Sequence, residues 1–349
     1  MRRLVYLFLK NWISLALFCY YRKIEVVGLE NIPKNKPVLF LSNHQNALLD
    51  ILLIATRCNH KPWYLTRADV FRGKWFRRLF SFLQMLPIYR IRDGKANLYK
   101  NKKIFETCAQ LLNSNEAILL FPEADHNLRR RVRPLSKGFT RIIDASLELD
   151  ANIDLQLVPV GQNYQLPKVA GDQAAIYFGK PISIQDFKHK NNFVGAVKDA
   201  VFNALTQLTT HVQPDEDYDM LMKQLLRSKV DFTKPEEVNS LLAKGLSELD
   251  RQYQNTNLLV FRRLLFRLHN LPLLVLWRLW LKPKVPEPEF EGTFRLGFAL
   301  LAYPTFYAIA VIVLSIGYNM TTACFVVLGH AALNLLLVKW GITSYPQRK

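Results

Sequence analysis

Cysteine is scarce in this sequence. The chain has four, at widely separated positions: Cys19, Cys58, Cys108 and Cys324. Because no two of them form a Cys-x-x-Cys pair and no histidine lies at metal-ligand spacing, the sequence indicates neither a disulfide framework nor a zinc site. Reduced thiols in a cytosol-facing protein are the simpler interpretation. A P-loop and a dinucleotide-binding glycine motif are also missing, so nothing indicates a nucleotide cofactor.

Acidic residues are few relative to basic ones, with 28 Asp and Glu against 47 Lys and Arg. Such a balance favours binding to nucleic acid, to acidic lipid headgroups or to phosphorylated substrates. Zinc-finger spacing and RNP-like aromatic motifs are absent, whereas long uncharged stretches are present. The basic excess therefore predicts membrane lipids as partners and no nucleic acid.

Charged side chains are missing altogether from residues 296–338, a stretch of 43 residues. One membrane crossing takes about 20 residues, so this length predicts two transmembrane helices. Residues 317–321 contain Gly and Asn and are expected to form the turn between them. Lys and Arg gather on the other side of both helices, which predicts an integral membrane protein with its catalytic domain on the cytoplasmic face. The alternative is a buried helical hairpin in a soluble core.

Three further segments flank or connect the apolar stretch. Residues 1–23 are predicted to form a retained interfacial or membrane-associated helix rather than a cleaved signal peptide, because Lys10 interrupts the apolar run. Residues 211–256 are predicted to form a polar helical connector. Residues 257–284 combine arginines with tryptophans, as a basic amphipathic helix in the headgroup layer does, and Pro272 is expected to kink it.

Short apolar runs separated by helical segments occupy residues 24–210. The runs at 38–41, 117–121, 155–160 and 175–178 are rich in strand-forming residues. Strands that alternate with helices predict an α/β domain with a mixed, partly parallel sheet flanked by helices. In such a sheet, functional residues lie just beyond the carboxyl ends of the strands.

The first of these strands is followed by His44 and Asp50. A carboxylate that binds one imidazole nitrogen orients the other nitrogen as a base. Residues six positions apart on an ideal helix point about 120° away from each other, so the pair meets only if a turn or an irregular helix start lies between them. On spacing alone, a purely structural His and Asp is the alternative. Ser42 is not favoured as a nucleophile, because adjacent side chains on a strand face opposite ways.

Later blocks change the interpretation of this pair. Arg90 and Arg92 follow an apolar run, and Glu123 directly follows another strand. The four blocks in order are Asn43-His44 with Asp50, Ile88-Tyr89-Arg90, Phe121-Pro122-Glu123-Ala124 and Val158-Pro159-Val160. In order and spacing they resemble the glycerophospholipid acyltransferase family over about residues 25 to 185, a family that includes glycerol-3-phosphate and 1-acylglycerol-3-phosphate acyltransferases.

This sequence departs from the commonest family pattern in two places. Five residues separate His44 from Asp50 instead of four, which resembles a branch containing glycerol-3-phosphate-type enzymes. Ala124 and His126 stand where Gly and Arg are commonest. A cluster of arginines at 129–133 is a candidate replacement for the missing cation, with a solvated basic loop as the alternative.

The resemblance implies a role for each matched residue. His44 is expected to act as general base and Asp50 to orient it. Arg90 is expected to bind the acceptor phosphate, and Glu123 to orient that arginine or the glycerol hydroxyls. The remaining residues expected to bind substrate are Asn43, Arg92, His126 and Lys137.

The implied reaction moves an acyl group from acyl-CoA or acyl carrier protein to glycerol-3-phosphate or 1-acylglycerol-3-phosphate. Cofactors and metals are not expected, because the thioester is already activated. Acylation of another lyso-lipid is an alternative, and so is a non-catalytic membrane module that binds anionic lipid. Acyl-chain length and oligomeric state are left open by the sequence.

Overall fold

A mixed sheet lies at the centre of the fold. The computed structural model describes residues 2–71, 73, 78, 80–90, 99–213, 217–245 and 256–342. In these residues the strands are β1 (Lys23–Val27), β2 (Val38–Ser42), β3 (Trp63–Arg67), β4 (Met85–Ile88), β5 (Ala117–Leu120), β6 (Gln156–Tyr164), β7 (Gln173–Phe178) and β8 (Ile182–Ser183). The four predicted strand runs coincide with β2, β5, β6 and β7.

The strands follow the order β1-β7-β6-β2-β5-β3-β4, with β8 beside β6. Neighbours from β6 through β2, β5 and β3 to β4 are parallel, whereas β7 and β8 run antiparallel to β6. The predicted α/β class with a mixed, partly parallel sheet is confirmed. Because the parallel strands point the same way, the loops after β2, β4, β5 and β6 leave the sheet at one edge.

Helices cover both faces of this sheet. They are α1 (Arg2–Tyr20), α2 (Ala47–Arg57), α3 (Lys100–Asn113), α4 (Gly138–Leu149), α5 (Phe193–Leu208), α6 (Tyr218–Arg227) and α7 (Pro235–Lys244). Strand β2 is buried on both sides, since Val38 and Phe40 pack with α1 and α2 while Leu39 and Leu41 pack with α3, α4 and α5. This alternation is the period of two that strand geometry dictates.

Helix α1 lies against the domain and the C-terminal helices. Leu17 is fully buried in the core, while Phe8 and Trp12 on another face are exposed. The ammonium group of Lys339 donates hydrogen bonds to the carbonyls of Phe18 (2.7 Å) and Tyr21 (2.9 Å), which satisfies acceptors at the end of α1. A helix was predicted here, and its membrane location stays a prediction.

Two long apolar helices end the described chain, α10 (Glu291–Gly317) and α11 (Met320–Trp340). Both are long and apolar enough to cross a membrane, and the most apolar window of α10 is not buried in the protein at all. The turn between them falls at Tyr318 and Asn319, within the predicted 317–321, and Asn319 caps α11 by accepting from the N–H of Thr322 at 2.8 Å.

The segment predicted as one amphipathic helix at 257–284 is two helices in the structure. Helix α8 (Thr256–His269) ends at Asn270, and α9 (Leu271–Leu276) continues into a π-helical turn over Trp277–Leu281. Pro272 lies in the first turn of α9, so the predicted kink is confirmed as a break. We call α8, α9 and this turn the V-segment.

The V-segment packs along the α10–α11 hairpin. Near its start, Arg262 donates to the carbonyl of Trp340 at 3.0 Å. At its break, Asn270 and Asn334 exchange amide hydrogen bonds of 2.5 and 2.9 Å. Trp340 and Asn334 are six residues apart on α11, so the break lies about 9 Å further along the hairpin. The predicted location of this segment in the headgroup layer stays a prediction.

The predicted polar connector packs against the α/β domain. Its backbone carbonyls accept hydrogen bonds from the domain: Tyr177 donates to Thr233 at 2.9 Å and Gln165 donates to Val230 at 2.9 Å. A small core around Phe232 joins α6 to α7. Residues 246–255 of the connector lie outside the described residues.

Candidate active site

His44 and Asp50 form a hydrogen-bonded pair directly after β2. The Nδ1 atom of His44 lies 2.7 Å from the Oδ2 atom of Asp50. The predicted irregularity between them is present, because Ala47, the first residue of α2, has a φ of 43°. This left-handed start turns the chain so that the side chain of Asp50 points back under the loop that carries His44.

The carboxylate of Asp50 is fully buried and accepts several hydrogen bonds. Its Oδ2 atom accepts from the backbone N–H groups of Gln45 and Asn46, both at 2.8 Å, and its Oδ1 atom accepts from the hydroxyl of Tyr164 at 2.5 Å. A carboxylate can only accept, so the proton of the His44–Asp50 bond belongs to Nδ1 of the imidazole. The Nε2 atom of neutral His44 therefore carries the lone pair.

Tyr164 is a site residue that the sequence patterns did not identify. It is the last residue of β6, the strand next to β2, and it is completely buried. Burial, and then the charge of Asp50, raise the pKa of Tyr164 well above its ordinary value, so the hydroxyl keeps its proton and remains a donor.

The His44 ring is stacked rather than enclosed. Its face lies on Phe121, with ring centroids 3.8 Å apart and planes 13° from parallel, and its edge meets His126 at 5.7 Å. The backbone N–H of Asn127 donates to the carbonyl of His44 at 2.9 Å. With 15% of its side chain exposed, the imidazole is fixed in place yet can be reached from solvent.

Asn43 is buried, with its amide used inside the fold. Its Nδ2 donates to the carbonyl of Gln162 at 3.0 Å, and its Oδ1 accepts from the N–H of Gln162 at 2.7 Å. The hydroxyl of Ser42 accepts from the side chain of Gln162 at 3.1 Å. These contacts tie the loop of His44 to β6. Substrate binding by Asn43 stays a prediction, and the observed contacts give it a positioning role.

Glu123 pairs with a different arginine from the predicted one. Its Oε2 atom accepts from Nε of Arg133 at 2.6 Å, and a second nitrogen of Arg133 donates to the backbone carbonyl of Asp125. Arg90 instead lies 3.8 Å from the carboxylate of Asp125. In the structure Glu123 is therefore paired with Arg133 and not with Arg90, because the loop after β5 folds back and brings Arg133 to the buried carboxylate. The other expected role of Glu123, orienting the glycerol hydroxyls, stays a prediction.

The electrostatics of Glu123 reflect that ion pair. Burial raises the pKa of Glu123, and the charge and hydrogen bonds of Arg133 oppose this rise. Arg133 is the arginine of the 129–133 cluster that pairs with Glu123, and its role as a replacement cation stays a prediction. Arg90 and Arg133 both contact carboxylates of the 121–126 loop, and the His44 ring stacks on Phe121 of the same loop.

His126 connects this loop to the C-terminal helices. Its Nε2 atom lies 2.7 Å from a carboxylate oxygen of Glu287, and the ring of Phe290 meets it edge-on at 4.9 Å. Residues 287–290 directly precede α10, so the chain leading to the hairpin covers one side of the site. Glu287 and Phe290 were not predicted, because a contact 161 residues away leaves no local pattern.

Arg92 and Lys137 are the last two of the predicted substrate-binding residues, and their role stays a prediction. Arg92 lies outside the described residues. Lys137 is exposed at the start of α4, next to Ser136, whose N–H donates to the carbonyl of Pro122 at 2.8 Å. This contact places the beginning of α4 beside the loop of Glu123.

Among the described residues, His126, Glu287 and Glu289 bring possible metal-ligand atoms within 4.8 Å of one another. The closest two of these atoms, on His126 and Glu287, already satisfy each other as a hydrogen bond. We therefore assign this group to the contact between loop and hairpin, and the expectation that no metal is needed stays a prediction.

Known proteins resemble this chain mainly over the α/β domain. Residues 23–162 match the family model described as Acyltransferase. A chloroplastic 1-acyl-sn-glycerol-3-phosphate acyltransferase of Brassica napus is 25% identical over 130 residues, which are 37% of this chain and 36% of that protein. A 1-acyl-sn-glycerol-3-phosphate acyltransferase of Chlamydomonas reinhardtii is 26% identical over 226 residues, 62% and 64% of the two chains.

The similarity thus spans only about a third of the first relative's length. The crystal structure of the 1-acyl-sn-glycerophosphate acyltransferase of Thermotoga maritima aligns with a TM-score of 0.42 and 15% identity, covering 58% of this chain and 79% of that one. The matched region contains the His44–Asp50 pair, Arg90, Glu123 and the start of the strand that carries Tyr164.

Proposed function

We propose that this chain, which belongs to the glycerophospholipid acyltransferase family, transfers a fatty acyl group from a thioester to the free hydroxyl of 1-acylglycerol-3-phosphate. The observation that carries the proposal is the orientation of His44 by the buried carboxylate of Asp50 at 2.7 Å. That contact leaves Nε2 as the base of an imidazole that is 15% exposed.

The reaction follows from this geometry. Nε2 of His44 takes the proton of the acceptor hydroxyl while the hydroxyl oxygen attacks the thioester carbonyl carbon. Asp50 stabilises the imidazolium that forms, without taking its proton. The tetrahedral intermediate then collapses, the carbon–sulfur bond breaks, and the imidazolium returns the proton to the leaving thiolate. Acyl-CoA and acyl carrier protein both supply such a thioester.

The acceptor assignment depends on charge and on the relatives. Arg90 lies 3.8 Å from Asp125, in the loop whose Phe121 stacks on His44, and a guanidinium group can bind a phosphate through two parallel hydrogen bonds, which Lys cannot do. Arg133 holds Glu123 and adds positive charge nearby. The relatives named above are called 1-acyl-sn-glycerol-3-phosphate acyltransferases, which favours that acceptor over glycerol-3-phosphate.

The membrane arrangement is part of the proposal. The hairpin of α10 and α11 is proposed to cross the bilayer, with its turn at Tyr318 and Asn319 on the far side. Arg295 and Lys339 at the near ends, together with the arginines of the V-segment, favour the cytoplasm for the α/β domain. A substrate with an acyl chain then meets the site at the membrane surface.

The test is an acyl-transfer assay with the full chain in membranes. A labelled acyl-CoA or acyl carrier protein donor is supplied with either 1-acylglycerol-3-phosphate or glycerol-3-phosphate, and the labelled lipid is identified. We expect diacylglycerol phosphate from the first acceptor and little product from the second. If only glycerol-3-phosphate were acylated, the acceptor would be glycerol-3-phosphate and not its 1-acyl derivative. If neither acceptor gave product with either donor, the proposal would be contradicted.

A further inference from the structure

A cavity of about 630 Å³ lies between the membrane-associated elements and outside the His44 site. Its walls come from α1, from α8 and α9 of the V-segment, from α10 and α11, and from the loop after β6 at residues 166–170. The lining contains neither His44 nor Asp50. A volume of this size falls within the range of about 300–1,000 Å³ that small-molecule sites occupy in proteins.

The walls of this cavity are mostly apolar. Trp12 and Leu15 of α1 line it and are exposed, so its apolar surface continues onto the outer face of α1. Leu273 and Leu296 line the deeper part and are buried. An apolar cavity of this kind beside two proposed membrane helices fits an alkyl chain that enters from the bilayer.

Cationic groups project from different walls of the same cavity. Arg267 comes from α8 and Arg295 from α10. Arg267 is exposed and forms no hydrogen bond or ion pair with the residues that the structure describes. Arg295 is held by Glu291 at 2.8 Å and lies over the ring of Trp277, yet its buried Nε atom has no hydrogen-bond partner in the described chain.

One further polar atom points to a ligand. Tyr20 is among the lining residues and is 5% exposed, and its hydroxyl oxygen has no hydrogen-bond partner among the described residues. Buried polar atoms of a protein are normally paired, so an unpaired hydroxyl and an unpaired guanidinium nitrogen on two residues that line one apolar cavity favour an acceptor from outside the chain. An oxyanion supplies acceptors to both and charge to Arg267.

We propose that this cavity binds a glycerophospholipid with an anionic headgroup, its acyl chain along the apolar walls and its phosphate at Arg267 and Arg295. The inference rests on the proposed insertion of the hairpin into the membrane and is independent of acyl transfer. The acyl donor is a poorer occupant, because its thioester would have to reach His44, which the cavity lining does not include.

The bound lipid also stabilises a loop of the catalytic domain. Residues 166–170 form part of the cavity wall, and Pro167 within them accepts a hydrogen bond from the side chain of Asn46 at 2.8 Å. Asn46 is the residue just before α2 and donates its own N–H to Asp50. Occupancy of the cavity therefore supports the backbone that holds the carboxylate of Asp50.

Photolabelling tests the proposal with the full chain reconstituted in vesicles. Two probes carry the same diazirine-bearing acyl chain, one as phosphatidylglycerol and one as zwitterionic phosphatidylcholine. We expect the first probe to label peptides of α1, the V-segment and α10 more strongly than the second. Arg267→Gln and Arg295→Gln should each reduce this labelling about tenfold, the effect of one lost charge-assisted hydrogen bond.

Matched variants make the result decisive. Arg278→Gln removes an exposed arginine of the V-segment that does not line the cavity, and it should label like the unaltered protein. Ala299→Phe fills the cavity from α10 and should abolish labelling there. Equal labelling by both probes, or an equal effect of the three arginine variants, would overturn the proposal. His44→Ala should label normally, so a failure of the proposed catalysis would be seen separately.

Discussion

At the scale of single residues, the geometry of the His44–Asp50 pair depends on how completely Asp50 is held. Its carboxylate accepts from His44, from two backbone N–H groups and from Tyr164, and it is fully buried. Each contact restricts the carboxylate, and through it the imidazole. The orientation of His44 is therefore a property of the loop, of α2 and of β6 together, rather than of two side chains.

Tyr164→Phe removes one of these contacts and leaves the packing unchanged. The loss of one hydrogen bond to a charged group should lower kcat about tenfold. KM should change little, because Tyr164 does not contact the proposed substrate positions. Steady-state kinetics of the purified variant measure both constants.

Tyr177→Phe is the matched control, since it removes a hydroxyl bond of 2.9 Å to Thr233 far from His44. It should cost stability without lowering kcat. If both variants retained the same kcat as the unaltered protein, Tyr164 would have no role in orienting Asp50.

Ala124 carries backbone strain next to the site. Its φ is 61°, in the left-handed region, where an alanine is less favourable than a glycine by roughly 1 kcal/mol. Ala124→Gly should therefore raise the free energy of unfolding by about that amount. Chemical denaturation in detergent measures it, with Ala200→Gly in the middle of α5 as a control that should lower stability. A less stable Ala124→Gly variant would contradict this account.

At the scale of elements, the first turn of α10 packs closely against the loop of the catalytic pair. A Cβ atom added at Gly292 would lie 2.6 Å from the side-chain oxygen of Asn46 and 2.9 Å from the carbonyl of Pro167. Such distances are too short for a carbon atom, so a larger residue must push α10 away from the loop. The hairpin and the active site are therefore mechanically linked at this glycine.

Gly292→Ala should lower the rate of acyl transfer by about tenfold or more and destabilise the protein by roughly 1–3 kcal/mol, as overpacking does. Gly297→Ala, one and a half turns further along α10, is the matched control because a Cβ there meets no atom within 4 Å. The rate of acyl transfer is measured for both variants in the same membranes. Equal activity of the two would show that the contact at Gly292 is dispensable.

The elements that could be predicted from the sequence are those whose burial is uniform. Strands β2 and β5 are buried at every position and therefore appear as uninterrupted apolar runs. Strands β3 and β4 were not predicted: most of their positions are only half-buried, β3 mixes polar with apolar side chains, and the apolar run of β4 is only four residues long and contains a proline. The break of the V-segment was predicted from Pro272. Its position along the hairpin could not be predicted, because it depends on a contact between Asn270 and Asn334, which are far apart in the sequence.

The residues of the candidate site also divide into those that local sequence reveals and those that it does not. His44, Asp50, Arg90 and Glu123 each follow a strand and form recognisable blocks, so they could be found from local sequence. Tyr164, Arg133 and Glu287 reach the site through the folding of β6, of the loop after β5 and of the segment before α10. The partner of Glu123 could not be chosen from a cluster of arginines until the path of that loop was known.

At the scale of the whole molecule, the hairpin and α1 are the elements proposed to hold the domain on a membrane surface. Lys339 at the end of α11 binds the last carbonyls of α1, and Gly292 in the first turn of α10 lies against Asn46 in the loop of His44. These contacts place one end of the hairpin beside α1 and the other end beside the site. The turn at Tyr318 is at the opposite end.

Cysteine labelling tests this orientation. In a chain freed of its four native cysteines, Tyr318→Cys should react with a membrane-impermeant maleimide from the outside of intact cells. Lys282→Cys should react only after the membrane is opened. Reaction of both cysteines from the same side would exclude a hairpin that crosses the bilayer.

The imidazole of His44 is the proposed base of acyl transfer, so turnover by a variant that lacks this imidazole tests the proposal. The purified full chain is given labelled acyl donor and 1-acylglycerol-3-phosphate, and His44→Ala is compared with His189→Ala, which removes an exposed histidine. We expect a loss of about 10²–10⁴ in rate for His44→Ala and none for His189→Ala. Full turnover by a correctly inserted His44→Ala protein would contradict the proposal.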